Sequence, residues 1–212
     1  AKGVEARFQE VLQRAQAQGW GQQGFPIVAR ILEPTEGERR WKGRPYADYE
    51  SPASRTERLA IQMVFQDPFA SLNPRLRISD VIGEAPVVHG LVPASGRDAY
   101  VADIMQRVGL DASLARRFPH QFSGGQRSRI GIARALAVKP SFLVCDEAVA
   151  ALDVSIQAQV LNLFIRLREE FGLTYLFISH DLGVVEHLSD RVVIMYLGRV
   201  IESASTQEIF ER

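Results

Sequence analysis

The spacing of apolar residues changes several times along the chain, and each change marks an element. Val4, Phe8, Val11, Leu12 and Ala15 recur at helical spacing with Glu, Arg and Gln between them, which predicts an amphipathic helix within residues 1–18. Gly19 to Arg30 is a glycine-rich, turn-like stretch, and Pro34 to Gly37 is a second turn. Glu38 to Tyr46 is weakly strand-like, and the polar residues 47–58 read as a surface connection. Ile61 to Phe65 predicts a strand. From Ser79 to Phe118 the period is helical, interrupted near His89 to Gly96 by Gly and Pro, with Val81, Ile82, Val101, Ile104, Met105, Val108 and Leu114 supplying apolar faces.

Beyond this lobe the pattern alternates. Ser123-Gly124-Gly125 stands ahead of a helical stretch with Ile130, Ala133, Leu136 and Ala137 on one side, closing at Lys139-Pro140. Phe142-Leu143-Val144-Cys145 is a short apolar run that reads as a buried strand and delivers Asp146 and Glu147 to its C-terminal end. Ile156, Val160, Leu161, Phe164 and Leu167 predict a helix stopped by Gly172, and Thr174 to Ile178 is the next strand, with His180 just past its end. Arg191 to Tyr196, a turn at Leu197-Gly198 and Arg199 to Glu202 predict a hairpin, and Thr206 to Phe210 a last short helix. Strands at 61–65, 142–146, 174–178 and 191–196 separated by helices require crossover connections, so the expected class is an α/β sheet with an inserted helical lobe.

Composition narrows the function classes. The chain has 212 residues, enough for one or two compact units, and its 25 basic residues balance 25 acidic ones, which gives no support for a general nucleic-acid or anionic-membrane surface. The one cysteine, Cys145, falls inside a predicted strand and reads as an inert core thiol. No uninterrupted apolar run approaches the roughly 18 residues of a membrane span. His89 and His120 fall in turns without a metal-ligand cluster and read as surface histidines.

Two stretches carry candidate chemistry. Ser123 can cap its helix while Gly124 and Gly125 leave N–H groups open to an anion, phosphate above all; taken alone, the same residues also describe a capped structural helix. Asp146 and Glu147 stand where metal and catalytic carboxylates sit in an open α/β sheet, though a pair of turn carboxylates has the same look. Ala151-Leu152-Asp153 directly afterwards favours the chemical reading of both. Arg116, Arg117, Arg127, Arg129 and Arg134 interleave with the first stretch, so phosphate proximity or helix-surface solvation accounts for them better than a nucleic-acid patch.

These phrases together resemble the ATP-binding subunit of ABC transporters, in the oligopeptide and dipeptide importer branch, from about Ile61 to Phe210. Phe122-Ser123-Gly124-Gly125-Gln126 is similar to the family signature, with Phe122 for the usual Leu, and Phe142 to Glu147 to the strand and acidic pair of Walker B. Gln66 in Gln-Asp-Pro-Phe-Ala-Ser-Leu-Asn-Pro-Arg, Asp153 in Ala-Leu-Asp-Val-Ser-Ile-Gln, and His180 in Ile-Ser-His-Asp-Leu complete the set. The resemblance implies a P-loop NTPase-like nucleotide-binding domain: an atypical N-terminal helix at 1–18, a P-loop and Gln66 region at 19–77, a helical signature subdomain at 78–138, and a core at 139–212. It implies ATP and Mg²⁺ at a composite dimer site, Glu147 as general base, and Asp146 with Gln66 toward the metal. His180 and Gln66 would stand at the attacking water, and Ser123, Gly124, Gly125, Gln126 and Asp153 at the nucleotide. The implied partners are a second ATPase subunit, membrane permeases and, indirectly, a substrate-binding protein, with no nucleic acid, at the inner face of the cell membrane. Members of this branch usually continue past the position of Arg212, so their C-terminal segment is not expected here.

The departures concentrate near the start. Gly19 and Gly24 have the separation of a P-loop, and Val28-Ala29-Arg30 resembles the helix that follows one. A working loop, however, needs Lys and then Ser or Thr after the second Gly, for the phosphates and for Mg²⁺. Phe25 and Pro26 stand there instead: a neutral ring cannot neutralise phosphate, and proline removes a donor from the cradle. The stretch is thus a degenerate P-loop or an unrelated glycine-rich turn. No adenine-stacking strand segment is read before it, and Trp20 fits packing better than stacking. Ala148, Ala150 and Ser128 also replace the usual Pro, Ser and Gln. Three functions follow: an importer ATP-binding subunit that donates its signature to a partner's site, a non-catalytic scaffold or regulator, and an ABC-type ATPase unconnected with transport.

Overall fold

A computed structural model describes residues 40–46, 54–67, 71–197 and 199–211. The expected N-terminal helix, Trp20 and the stretch holding Gly19, Gly24, Phe25 and Pro26 lie outside the described residues. In chain order the elements are β1 (Arg40–Trp41), β2 (Arg44–Pro45), α1 (Arg55–Leu59), β3 (Ile61–Val64), α2 (Ile78–Val88), α3 (Arg97–Arg107), α4 (Gly124–Leu136), β4 (Phe142–Asp146), α5 (Val154–Phe171), β5 (Thr174–Ile178), α6 (Leu182–Leu188), β6 (Arg191–Tyr196), β7 (Arg199–Ser205) and α7 (Thr206–Phe210). The chain divides into two compact units, one of Gln62–Val192 with Ala204–Arg212, the other of Ala1–Ile61 with Val193–Ser203.

The larger unit is built on a sheet of order β3-β4-β5. β4 and β5 run parallel in a one-to-one register from Phe142 opposite Thr174 to Asp146 opposite Ile178. The central strand reads Phe-Leu-Val-Cys-Asp because Leu143, Val144 and Cys145 are buried, as a strand covered on both faces requires. The expectation for Cys145 holds: it is a fully buried free thiol, and burial pushes its pKa well above the ordinary thiol range. On β5, Tyr175 and Phe177 meet Phe164 of α5 edge-on at 5.6 Å. α5 ends where the sequence predicts. Gly172 takes the left-handed conformation at φ 62, and the N–H groups of Gly172 and Leu173 both close on the Arg168 carbonyl.

α4 differs from expectation. Its spacing suggests one apolar side, yet Ser128, Ile130, Gly131, Ile132, Ala133, Ala135 and Leu136 are all buried. A helix buried around most of its circumference is an internal one. α4 packs on α2 and α3 on one side and on α5 on the other, inside one continuous core. It also stops at Leu136, short of the Lys139-Pro140 boundary. Pro140 disfavours the right-handed helical conformation at Lys139, which turns the chain at φ 53 while its N–H closes on the Leu136 carbonyl.

The helical lobe is shorter than its apolar pattern predicts. α3 ends at Arg107, Gly109 takes φ +74, and the stretch to Phe118, expected to stay helical, holds a 3₁₀ turn at Ala112–Arg116. The reason is a competition for carbonyls. Arg129 of α4 donates through Nη1 to the Val108 carbonyl at 2.7 Å, and Arg166 of α5 donates to that of Arg107 at 2.9 Å. A side chain at residue 109 would meet Arg129, whose Nη1 lies 2.9 Å from an ideal Cβ there. His120 is exposed as expected, whereas His89 is half-buried.

In the smaller unit β1 and β2 pair antiparallel, Arg40 opposite Pro45. β6 and β7 pair as the expected hairpin, β7 running on to Ser205. Among the described residues no helix is long and apolar enough to cross a membrane.

Phe164 is fully buried and touches both aromatic residues of β5, so Phe164→Ala is expected to lower unfolding free energy by about 3–5 kcal/mol. Chemical denaturation checks this: a midpoint close to that of the parent chain would show that α5 does not depend on this contact.

Candidate functional site

The parallel ladder runs one rung past β4. The Glu147 N–H donates to the Ile178 carbonyl at 3.0 Å, and Glu147 then turns the chain at φ 44, a conformation sparsely populated by a non-glycine residue. This aims the Glu147 side chain beyond the sheet edge, where two other strands deliver partners. Gln66, two residues after β3, donates from Nε2 to Glu147 Oε2 at 2.5 Å. His180, two residues after β5, sets Nδ1 2.9 Å from Glu147 Oε1, a contact the tautomer with its proton on Nδ1 makes as a donor. Both oxygens of Glu147 are therefore engaged by residues 81 and 33 positions away in sequence.

Asp146 lies beside this cluster, half-buried at the end of β4. Burial, and then the negative charge of Glu147, push its carboxyl above the ordinary carboxylate range. A buried acid next to a second acid favours a cation. Because the Gln66 amide nitrogen faces Glu147, its carbonyl oxygen is left for other use, and carboxylate plus amide oxygen is the donor chemistry of a hard divalent ion. Among the described residues no group of three or more His, Cys, Asp or Glu side chains is arranged to hold a metal ion by itself. The donor set thus fits an ion shared with a ligand.

The loop carrying His180 is anchored by the next residue. Asp181 caps α6, its Oδ1 accepting from Gly183 N–H at 2.9 Å and Val184 N–H at 3.3 Å, while its Oδ2 accepts from Gln157 Nε2 of α5 at 3.3 Å. The Val184 amide, then the Gln157 amide, hold the Asp181 carboxyl below its usual range. Neither Gln157 nor Asp181 stands out in the sequence as a functional residue. The Asp after a strand, two and three residues before Gly183 and Val184, is a legible cap, but its bond to Gln157 depends on how α5 returns to β5.

At the start of α4, Ser123 and Gln126 form a reciprocal cap. Ser123 Oγ accepts from Gln126 N–H at 3.4 Å, and Gln126 Oε1 accepts from Ser123 N–H at 3.0 Å. Those amides are taken, and Gln126 spends its side-chain oxygen within the cap. The Gly124 and Gly125 N–H groups remain at the helix end, where the backbone dipole favours negative charge. The glycines also sit against the segment after Glu147. An ideal Cβ on Gly125 would stand 2.5 Å from Ile156 Cγ2, while one on Gly124 would meet nothing nearer than Leu152 Cδ2 at 3.9 Å. Asp153, at the N-cap position of α5, makes no side-chain cap bond and is exposed. The structure therefore brings Gln66, Asp146, Glu147 and His180 together and places Ser123 to Gln126 on a separate helix end. Gly19 and Gly24 lie outside the described residues.

Comparison with known proteins identifies the family and the fold. The ABC transporter family model matches residues 25–150. The oligopeptide transport ATP-binding protein AppF of Bacillus subtilis (strain 168) is 52% identical over 185 residues, 87% of this chain and 56% of that protein. The dipeptide transport ATP-binding protein DppF of Haemophilus influenzae is 49% identical over 184 residues, 87% of this chain and 56% of that protein. Among solved structures, the dimeric post-hydrolysis state of the ATP-binding cassette MJ0796 bound to ADP and Pi superposes with a TM-score of 0.71 at 28% identity, covering 85% of this chain and 78% of that one. The chain belongs to the ABC transporter family, and its α/β core with an inserted helical lobe is the ATP-binding-cassette fold. It spans a little over half the length of the two curated relatives described.

The strain at Asp146 has a measurable sign. Its pKa is raised on folding, so its charge destabilises the native state; the cost is fully present above the raised value and vanishes below the ordinary carboxylate range, where both states are protonated. Asp146→Asn is expected to raise stability near neutral pH, by no more than about 1 kcal/mol for a half-exposed group, and to lose that gain as pH falls toward about 3. Thermal unfolding of both chains across pH tests this; a gain independent of pH would assign it to packing instead of charge.

Proposed function

We propose that this chain is an ATP-binding subunit of a peptide-class importer, peripheral on the inner face of the membrane and coupled to separate permeases, and that it lends its α4 N-terminus to the ATP site of a partner subunit. The reading rests above all on one contrast. The helix end that can grip a phosphate has two open glycine amides on a rigidly packed helix, while the chain's own phosphate loop carries Phe25 and Pro26 where charge and hydroxyl are needed. The relatives named for oligopeptide and dipeptide transport support the substrate class, and the dimeric cassette supports pairing with a second ATP-binding subunit.

The residues divide the work. Gly124 and Gly125 N–H groups donate to a terminal phosphate presented by the partner, and Ser123 and Gln126 hold them in place through their mutual cap. The chain's own half-site keeps its acid–base residues beside the degenerate loop: with nucleotide held there, Glu147 would accept a proton from an attacking water once one of its oxygens is released by Gln66 or His180. His180 orients that water. Asp146 and the Gln66 carbonyl oxygen would hold Mg²⁺, which would neutralise charge on the phosphate oxygens. Asp153 borders the same dimer face.

Losing one charge-assisted phosphate contact removes about 1.5–3 kcal/mol, a weakening of roughly tenfold to over a hundredfold. Calorimetric titration of the lone chain with Mg-ATP is therefore expected to show no saturable micromolar binding. Addition of a partner with an intact P-loop is expected to create one ATP-dependent dimer site, and Gly124→Asp to abolish it. A Cβ added at Gly124 meets nothing nearer than Leu152 Cδ2 at 3.9 Å, and a melting temperature like that of the parent chain would separate loss of the site from misfolding. Micromolar affinity of the lone chain would overturn the degenerate-loop reading; dimerisation indifferent to Gly124→Asp would leave a non-catalytic scaffold.

A further inference from the structure

Arg134 lies on α4, ten residues beyond Gly124. Its guanidinium donates through Nη1 to the Ser71 carbonyl and stands over the Phe65 ring, 6.0 Å from its centroid. Phe65 and Ser71 flank Gln66 on both sides, and the Ser71 N–H donates back to the Asp67 carbonyl at 3.1 Å. One side chain therefore reaches both the residue before Gln66 and Ser71, whose N–H returns to Asp67. Among the described residues no carboxylate pairs with Arg134, and burial pulls its pKa below the usual guanidinium range. A part-buried cation whose partners among the described residues are a carbonyl and an aromatic face is an expensive way to fill space, because a neutral side chain of similar length would pack there without desolvating a charge. Its planar, charged fork is suited to holding two fixed groups at once.

We propose that Arg134 is a positioning residue: it fastens the Gln66 segment to α4 and thereby sets the contact between Gln66 and Glu147. The helix that begins with Ser123-Gly124-Gly125 is then joined within one chain to the carboxylate cluster, through Arg134, Phe65 and Gln66 to Glu147. A shift of α4 when its N-terminus takes up a ligand would pull on Gln66, which holds one oxygen of Glu147. The functional weight of this link rests on the ATP-site reading above, but the link itself is a property of the free chain.

The test uses the free 212-residue chain with neither nucleotide nor partner, so it stands or falls apart from the binding experiments. The side-chain amide signal of Gln66 in an ¹⁵N spectrum is identified by its displacement and slowed solvent exchange, both of which disappear in Glu147→Ala. Arg134→Met is expected to leave the melting temperature within a few degrees while releasing Gln66, so that its side-chain amide exchanges about tenfold faster or more, the loss of one charge-assisted hydrogen bond. If the methionine variant does not fold, Arg134→Gln, too short to span both contacts, serves the same comparison. A Gln66 signal like that of the parent chain in either folded variant overturns the proposal, because a space-filling arginine could then be replaced without consequence for Gln66.

Discussion

The hydrogen bond from Glu147 to Ile178 is the constraint on which the site depends. It extends the β4–β5 ladder one residue beyond the regular strand and fixes where the chain departs from the sheet. Had the chain stayed extended past Asp146, the next side chain would alternate back across the sheet. Instead Glu147 turns at positive φ and meets the ends of β3 and β5, the neighbours on either side of β4. Three strand ends thus converge on one carboxylate, and the apolar burial beneath them fixes the register that makes the convergence possible.

That burial is centred on α4. Helical elements and sheet share a single core because α4 is covered from both directions, by α2 and α3 and by α5. The glycine contact with Ile156 has the same origin: two backbones approach closely where a side chain would hold them apart. The mouth of the helix is therefore tied to the segment after the acidic pair as well as to the Gln66 loop.

Much of this was legible in the sequence. An apolar run of strand length bounded by Pro140 and an acidic pair, a helix stopped by glycine, and a serine ahead of two glycines are local signals, and β4, α5 and the α4 cap stand where those signals put them. What was hidden depends on distant partners. The breadth of α4's buried surface cannot be read from its own periodicity, since small residues such as Gly131 and Ala135 suit either environment. The arginines are the plainest case: expected near phosphate or in solvent, Arg127, Arg129 and Arg134 donate to main-chain carbonyls of Pro119, Val108 and Ser71. A carbonyl left over at a helix end or a turn has no residue type, so nothing in the sequence announces it.

Cys145 has a practical consequence. The chain has one thiol, enclosed in the central strand and disinclined to ionise, so thiolate-seeking reagents will pass over it while the protein stays folded. These 212 residues are in effect cysteine-free toward maleimides and spin labels. A cysteine placed at an exposed position such as Gln106 or Glu169 would carry a fluorophore or nitroxide as the sole label, without first removing a residue from the core.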